Sequence, residues 1–321
     1  MAGTVAKGRY LAFGEAMLRL STPSGERLAE APELAVHPAG SELNVAVALA
    51  ALGCEASWHS SLPDNRLGHR VAAAAQAAGV DVESVRWVDD GRLGTFFAEV
   101  APAPRRTVVV YDRAGSAFAE SPPEPPTLAG VDWLIVSGIS PALGVPARAA
   151  TVRLVAEAKA RGVRVCFDVN YRESLWSPSE AATTVRPIIA AADLVVCGRR
   201  DAALVLGLEC EPEAAVRRLR ELASPAATAV LTLGEHGCLG TTDGVEIVRC
   251  RGYAAQVVDP VGAGDAFLAG LLWGLEDHRL PDALARGVAL GALACTVKGD
   301  FACFAPAEVE AVVAGESEHS R

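Results

Sequence analysis

Lysine is scarce in this 321-residue chain: of 29 basic residues only Lys7, Lys159 and Lys298 are lysines. Compositional bias accounts for this, and it leaves arginine as the cation for any anionic ligand. Positive charge as a whole is short. The net charge of −10 and a pI near 5.2 repel polyanions, which argues against nonspecific binding to nucleic acid or to an anionic membrane surface. Long hydrophobic runs are missing; the longest, around Ala266 to Leu275, falls short of the ~20 residues that cross a bilayer. The N-terminal MAGTVAKGRYLAFG lacks the apolar core of a signal peptide. None of the eight cysteines forms a CxxC pair, so they read as buried thiols of a reducing, cytoplasmic setting.

Several catalytic signatures are absent too. There is no GxxxxGK[ST] loop, no GxSxG turn, no HExxH helix and no His/Cys spacing suited to zinc. GAGDAF lacks the third glycine of a dinucleotide fingerprint. Hydrolase, zinc-enzyme and nicotinamide-enzyme readings all lose support.

What is present is a chain 51% hydrophobic and 21% charged, enough for a substantial core. RYLAFG, DWLIVSGI, VRVCFDVN, ADLVVCG and TAVLTLG read as strands, and helical patterns separate them. One such helix is SELNVAVALAALG, with Ser41 as its expected N-cap. Near-continuous apolar strands alternating with helices predict an α/β fold, a doubly wound, mostly parallel sheet covered on both faces. Ligands of such sheets bind beyond the C-terminal strand ends. Thr22–Gly40 and Thr95–Arg113 break the rhythm and predict a small β-sheet lid from about residues 18–39 and 95–111, the second around a Pro-containing turn.

DPVGAGDAFLAGLLWGL carries the most chemistry. Gly262 and Gly264 permit a tight turn, and the helix starting there presents unpaired N–H groups at its positive end. That is an anion site suited to phosphate. Asp265 follows in the first helical turn. A carboxylate repels phosphate, so it suits a hydroxyl whose proton it takes as a phosphoryl group arrives. A capping Asp behind a glycine turn fits the same residues. Gly270 and Gly274, one turn apart, let the helix pack closely on a sheet. In VRVCFDVNYRESLW the strand ends near Asp168 and Asn170, with Tyr171 and Arg172 at the sheet edge. Arg172 can grip a carboxylate or phosphate there, or simply be a surface residue. Tyr111 and Arg113 end the lid hairpin, with Ser116 as a helix cap, while Gly40, Ser41 and Asn44 offer polar groups at a helix start.

In order along the chain, from FGEAMLRLS to VKGDFACFAP, these stretches resemble the ribokinase-like, or phosphofructokinase-B, carbohydrate kinases. The most specific is DPVGAGDAFLAG, which is similar to the family's D-[TP]-x-GAGD-x-F pattern. FGEAMLRLS, VVYDRAGSAF and DVNYRESLW look most like the 2-keto-3-deoxygluconate kinases, although fructokinases share forms of the last. The resemblance implies one ribokinase-like domain over residues 1–321, with ATP and Mg²⁺ as cofactors. It implies phosphorylation of the terminal hydroxyl of 2-keto-3-deoxygluconate (2-dehydro-3-deoxy-D-gluconate) to its 6-phosphate. The alternatives are a fructokinase or another neutral-sugar or nucleoside kinase, and a non-catalytic sugar- or nucleotide-binding regulator.

By the same resemblance Asp265 is the base, and Gly262, Ala263 and Gly264 form the anion hole. Gly40, Asn44 and Asn170 meet substrate hydroxyls, Phe96 is the lid's aromatic, and Tyr111, Arg113 and Arg172 hold the acid end. Thr232, Gly234 and Gly237 lie on the ATP side with the Gly262–Gly264 turn. Two positions depart from the family. Gly198 and Asp201 stand where NxxE is usual, so an indirect magnesium contact falls to a shorter carboxylate, and Thr232 replaces a common lysine. Relatives pair through their lids, which implies a homodimer or larger homo-oligomer.

Overall fold

The computed structural model describes residues 8–101, 104–277 and 279–319. Its strands are, in chain order, β1 (Arg9–Phe13), β2 (Met17–Ser21), β3 (Ala35–Ala39), β4 (Glu55–His59), β5 (Ser61–Pro63), β6 (Arg86–Val88) and β7 (Gly94–Glu99). They continue as β8 (Val108–Asp112), β9 (Trp133–Ser137), β10 (Arg164–Asp168), β11 (Leu194–Gly198), β12 (Thr228–Thr232), β13 (Cys238–Thr241) and β14 (Val248–Cys250).

The most apolar strands occupy the middle of the main sheet, as burial on two faces requires. Its order is β14-β13-β12-β11-β10-β9-β1-β4. The strands from β4 to β12 run parallel, and β13 and β14 close one edge antiparallel. One face packs on the helices Ser41–Ala51, Ala263–Asp277 and Leu280–Ala294. The other packs on Val145–Ala160, Pro178–Ala191 and Pro212–Leu222. This is the doubly wound α/β sheet expected. No described helix is long and apolar enough to cross a membrane.

The two segments that broke the α/β rhythm build a second sheet of order β3-β2-β7-β8. β2 pairs with β3 and β7 with β8 antiparallel, while the central β2–β7 pair is parallel. β7 alternates buried and half-buried residues, a period-2 pattern with one face inward. Phe96 and Ala98 on that face join Met17 and Ala39 in a small separate core. Pro102 and Ala103, in the expected Pro-containing turn, lie outside the described residues.

Two local expectations are corrected. Ser41 is the first residue of its helix and does not cap it: Gly40 occupies the N-cap with no side-chain bond. Gly270 and Gly274 serve a neighbouring helix rather than the sheet. A Cβ on Gly270 would stand 2.7 Å from the Arg286 carbonyl oxygen, and one on Gly274 2.6 Å from the Ala283 Cα. The helices Ala263–Asp277 and Leu280–Ala294 therefore touch backbone to backbone. Cys54, Cys166, Cys197 and Cys238 are buried as expected, but Cys210, Cys250 and Cys295 are only half-buried and Cys303 is exposed.

Because the Gly270 contact is with backbone, the helices must separate to admit a methyl group. Gly270→Ala is expected to lower stability by about 1–3 kcal/mol, read as a fall in melting temperature. An unchanged melting temperature would show that the helices are not so closely apposed.

Candidate active site

Three chain segments meet at the C-terminal end of the sheet. The first is the start of the Ser41 helix, just after lid strand β3. The second follows β10, and the third is the Gly262 turn with the helix it opens. Gly262 needs to be glycine: its φ is +87°, and a Cβ would lie 3.0 Å from the Asp300 carbonyl oxygen. A Cβ on Gly264 would meet nothing within 4 Å. The first turn of the helix is thus open on that side and suits an anion, although the Ala263 N–H already donates to the Pro260 carbonyl oxygen over 3.4 Å.

Asp265 sits in that turn. Its Oδ1 accepts a 2.7 Å bond from Ser41 Oγ and its Oδ2 a 2.7 Å bond from Asn44 Nδ2. Asn170 Nδ2 in turn donates to Ser41 Oγ over 2.9 Å. Ser41 is therefore a relay between Asp265 and the end of β10, which is why it does not cap its own helix. Asn170 adopts a left-handed φ of 38°, a conformation Asn tolerates better than most residues, and such outliers gather at functional sites.

Arg172 is the cation common to this end of the sheet: it draws down the pKa of Asp168, Asp201 and Asp265 alike. Burial outweighs it in each case. Burial raises the pKa of Asp265, against the bonds from Ser41 and Asn44. Asp168 is pushed up to about 8, first by burial and then by the neighbouring Asp265 charge. It consequently holds a proton at neutral pH. Asp201 is raised by burial too, while the Tyr171 N–H donates to its Oδ2 over 3.1 Å.

Beside this cluster lies a cavity of about 750 Å³ whose wall includes Thr232, Gly234, Gly237, Ala263 and Gly264. The residues expected on the nucleotide side and part of the expected anion hole thus share one cavity. Phe267, Val288 and Tyr253 give it an apolar flank, suited to a flat heterocycle.

The lid residues are placed differently. Arg113 is buried and forms an ion pair with Glu15, through a short contact from Nη2 and a 2.9 Å bond from Nε to the same oxygen. Ser116 Oγ donates to the other Glu15 oxygen and also caps its short helix. The Arg113 charge is therefore balanced within the protein, unlike the ligand-directed guanidinium expected. Tyr111, 37% exposed, stacks obliquely on Phe96 with ring centroids 5.5 Å apart and lies under Arg113. Phe96 is buried in the lid's own core rather than presented at a surface. Gly40 is buried, with room for no Cβ because the Glu15 carbonyl oxygen would stand 2.4 Å away.

Glu15, Asp168 and the relay role of Ser41 were not read from the sequence. Asp168 did carry a signal: it is an acidic residue closing an otherwise apolar strand, at the strand end where ligands of such sheets bind. Nothing comparable marked Glu15, whose partners lie 98 and 101 positions away.

The residues present fit a magnesium ion that stays largely hydrated. Mg²⁺ takes one or two carboxylates plus waters and phosphate oxygens. Asp201 and Asp168 provide carboxyl groups beside the cavity, while no described group of three His, Cys, Asp or Glu side chains could hold a metal by itself.

The pfkB family of carbohydrate kinases matches residues 8–307. The chain belongs to that family and is a sugar kinase, a phosphotransferase of a group that uses ATP. A 2-dehydro-3-deoxygalactonokinase from Haloferax volcanii is 40% identical over 309 residues, 94% of this chain and 96% of that relative. A 2-dehydro-3-deoxygluconokinase from Thermoproteus tenax is 32% identical, covering 90% of this chain and 89% of its own length. The crystal structure of the 2-dehydro-3-deoxygluconokinase from Thermotoga maritima superposes with a TM-score of 0.87 at 30% identity, over 96% of this chain and 99% of that one.

The Asp168 pKa of about 8 lies above the unfolded value near 3.9. Its contribution to stability is complete below about pH 4 and is lost as the pH rises through about 8. Asp168→Asn is accordingly expected to flatten the decline in melting temperature between about pH 5 and 8. Parallel curves for parent and variant would mean that Asp168 is ionised at neutral pH.

Proposed function

We propose that this kinase transfers the γ-phosphoryl group of ATP to the terminal hydroxyl of a 2-dehydro-3-deoxyaldonate, giving the 6-phosphate. The observation that carries this is the Asp265 carboxylate, fixed by Ser41 and Asn44 at an open helix N-terminus one residue from the cavity wall.

Asp265 keeps lone pairs beyond those used by Ser41 and Asn44, so it can receive the acceptor hydroxyl and take its proton. Burial makes it a stronger base than a solvated carboxylate, yet still a weak one for an alcohol. Positioning and charge stabilisation therefore carry most of the rate, with proton transfer late. The amides of Gly262, Ala263 and Gly264 face the transferred group and stabilise charge there without rearranging. Thr232, Gly234 and Gly237 hold the nucleotide side. Asp201, with the Asp168 carboxyl beside it, would hold a bound Mg²⁺, which would supply neutralisation of phosphate charge. Protonated Asp168 spares Asp265 a second adjacent anion. The lid excludes water that would otherwise take the phosphoryl group.

Arg172 binds the acid end of the substrate, and Tyr111 and Asn170 border the same pocket. Arg113, already paired with Glu15, shapes that pocket from within the lid. The gluco epimer follows from the sequence motifs. The galacto epimer is the second reading, supported by the 40% identity to the Haloferax enzyme. Homodimerisation through the lids belongs to the proposal: Val108 and Val110 on β8 are 48% and 51% exposed, an apolar edge that a second lid would cover. A cytoplasmic location belongs to it as well, supported by the four buried thiols.

ADP release with ATP-Mg²⁺ is to be measured on both 2-keto-3-deoxy epimers, fructose, ribose and adenosine. Preference for the keto-deoxy acids is expected; preference for a neutral acceptor would discard the acid pocket and keep the kinase. Arg172→Ala should raise KM for the acid far more than for any neutral sugar. Arg113→Ala should act chiefly on stability, by about 3–5 kcal/mol, because it strands a buried carboxylate. A selective loss of acid use in Arg113→Ala at unchanged melting temperature would reverse these two roles. Asp265→Asn should nearly abolish turnover while nucleotide binding remains. Retention of more than about a tenth of kcat, a barrier change under ~1.4 kcal/mol, would remove Asp265 from the base role.

A further inference from the structure

Arg19 projects from the middle of lid strand β2 and is only 1% exposed. None of its side-chain bonds serves the lid sheet's own ladder. Nη2 donates to Asp259 Oδ2 over 2.7 Å, Nη1 to Asp300 Oδ2 over 3.2 Å, and Nε to Ser21 Oγ over 2.6 Å. The two carboxylates belong to the walls of the Gly262 turn. Asp259 Oδ1 accepts from the Val261 N–H over 3.1 Å, fixing the entry to the turn. Asp259 Oδ2 also accepts from the Gly299 N–H over 3.3 Å. Asp300 backs the turn directly, its carbonyl oxygen filling the space a Gly262 Cβ would need.

We infer that Arg19 is a positioning residue for phosphoryl transfer, tying lid strand β2 to both walls of the anion-hole turn so that the amides and Asp265 keep their places as the lid moves. This role rests on the kinase function proposed above. A rigid guanidinium fork is suited to it, because it holds two carboxylates at a set separation. Stability alone is a weak reason for such an arrangement: fully buried ion pairs seldom outperform apolar packing. His37, the register partner of Arg19 on β3, lies against Gly299, where a Cβ would stand 3.1 Å from its ring nitrogen. Both of these lid strands thus meet the same loop. Burial pushes the Asp300 carboxyl up to about 7, with the Asp259 and Asp265 charges adding to the rise and Arg19 opposing it. The clamp is therefore within electrostatic reach of the base.

The test compares the parent kinase with Arg19→Lys and Arg19→Gln, and with Arg19→Gln combined with Asp300→Asn. The combined variant relieves the unpaired acid that would otherwise threaten folding. Melting temperature, kcat, KM for the sugar acid and ADP release without acceptor are measured on each. In the combined variant kcat is expected to fall about 30-fold or more while KM for the acid changes less than about threefold, the pattern of an interaction made in the transition state. The fraction of ADP released without phosphorylated sugar should rise. Arg19→Lys, which keeps a point charge but not the fork, should fall between parent and Gln. A folded combined variant with kcat within about threefold of the parent, or Lys no better than Gln, would overturn the role while leaving the kinase intact. A parent protein inactive on every acceptor would overturn the kinase function, and the positioning role with it.

Discussion

Two hydrogen bonds from the Ser41 helix to the first turn of the Ala263 helix hold Asp265, and the surrounding architecture follows from having to make them. The two helices lie on the same face of the sheet, but their N-termini reach the site by different routes. One is entered from lid strand β3 through Gly40, whose missing side chain lets the backbone pass close to Glu15. The other is entered from the Gly262 turn, which is folded against the backbone of Asp300. Asn170 then connects the pair to the central strand β10 through Ser41. The geometry around Asp265 and the junction between the two sheets are thus one structure.

Charge is the second constraint. With few cations and −10 net charge, each buried carboxylate must be paired, bonded or neutral. All three solutions occur within the site region. Glu15 is paired with Arg113, and Asp259 and Asp300 share Arg19. Glu42 accepts three bonds from Ser137 and Ser140. Asp168 is protonated, which leaves Arg172 less committed than its three acidic neighbours would otherwise make it. A pocket that must admit phosphates and a sugar therefore has most of its negative charge already accounted for.

The same reasoning bears on specificity. An arginine balanced by an internal carboxylate gives shape and rigidity; an arginine that acts on several acids through space can turn to a new anion. Arg113 belongs to the first kind and Arg172 to the second. The two motifs that suggested an acid substrate carry one each, and only the contacts separate them.

Local patterns sufficed for much of this molecule. Apolar strands between helical stretches specified the doubly wound sheet, because hydrophobic periodicity is a property of neighbouring residues. The irregular segments marked the second sheet, and the glycine turn with Asp265 at a helix start marked the candidate anion site, since helix termini have fixed chemistry. Partners distant in sequence were another matter. That Ser41 reaches Asp265 across 224 positions, that Gly270 and Gly274 face a helix rather than the sheet, and that Glu15 occupies Arg113 depend on how separate elements pack. Residue types constrain what a side chain can bond to. Which of the candidate groups stands within 3 Å of it is set by tertiary packing alone.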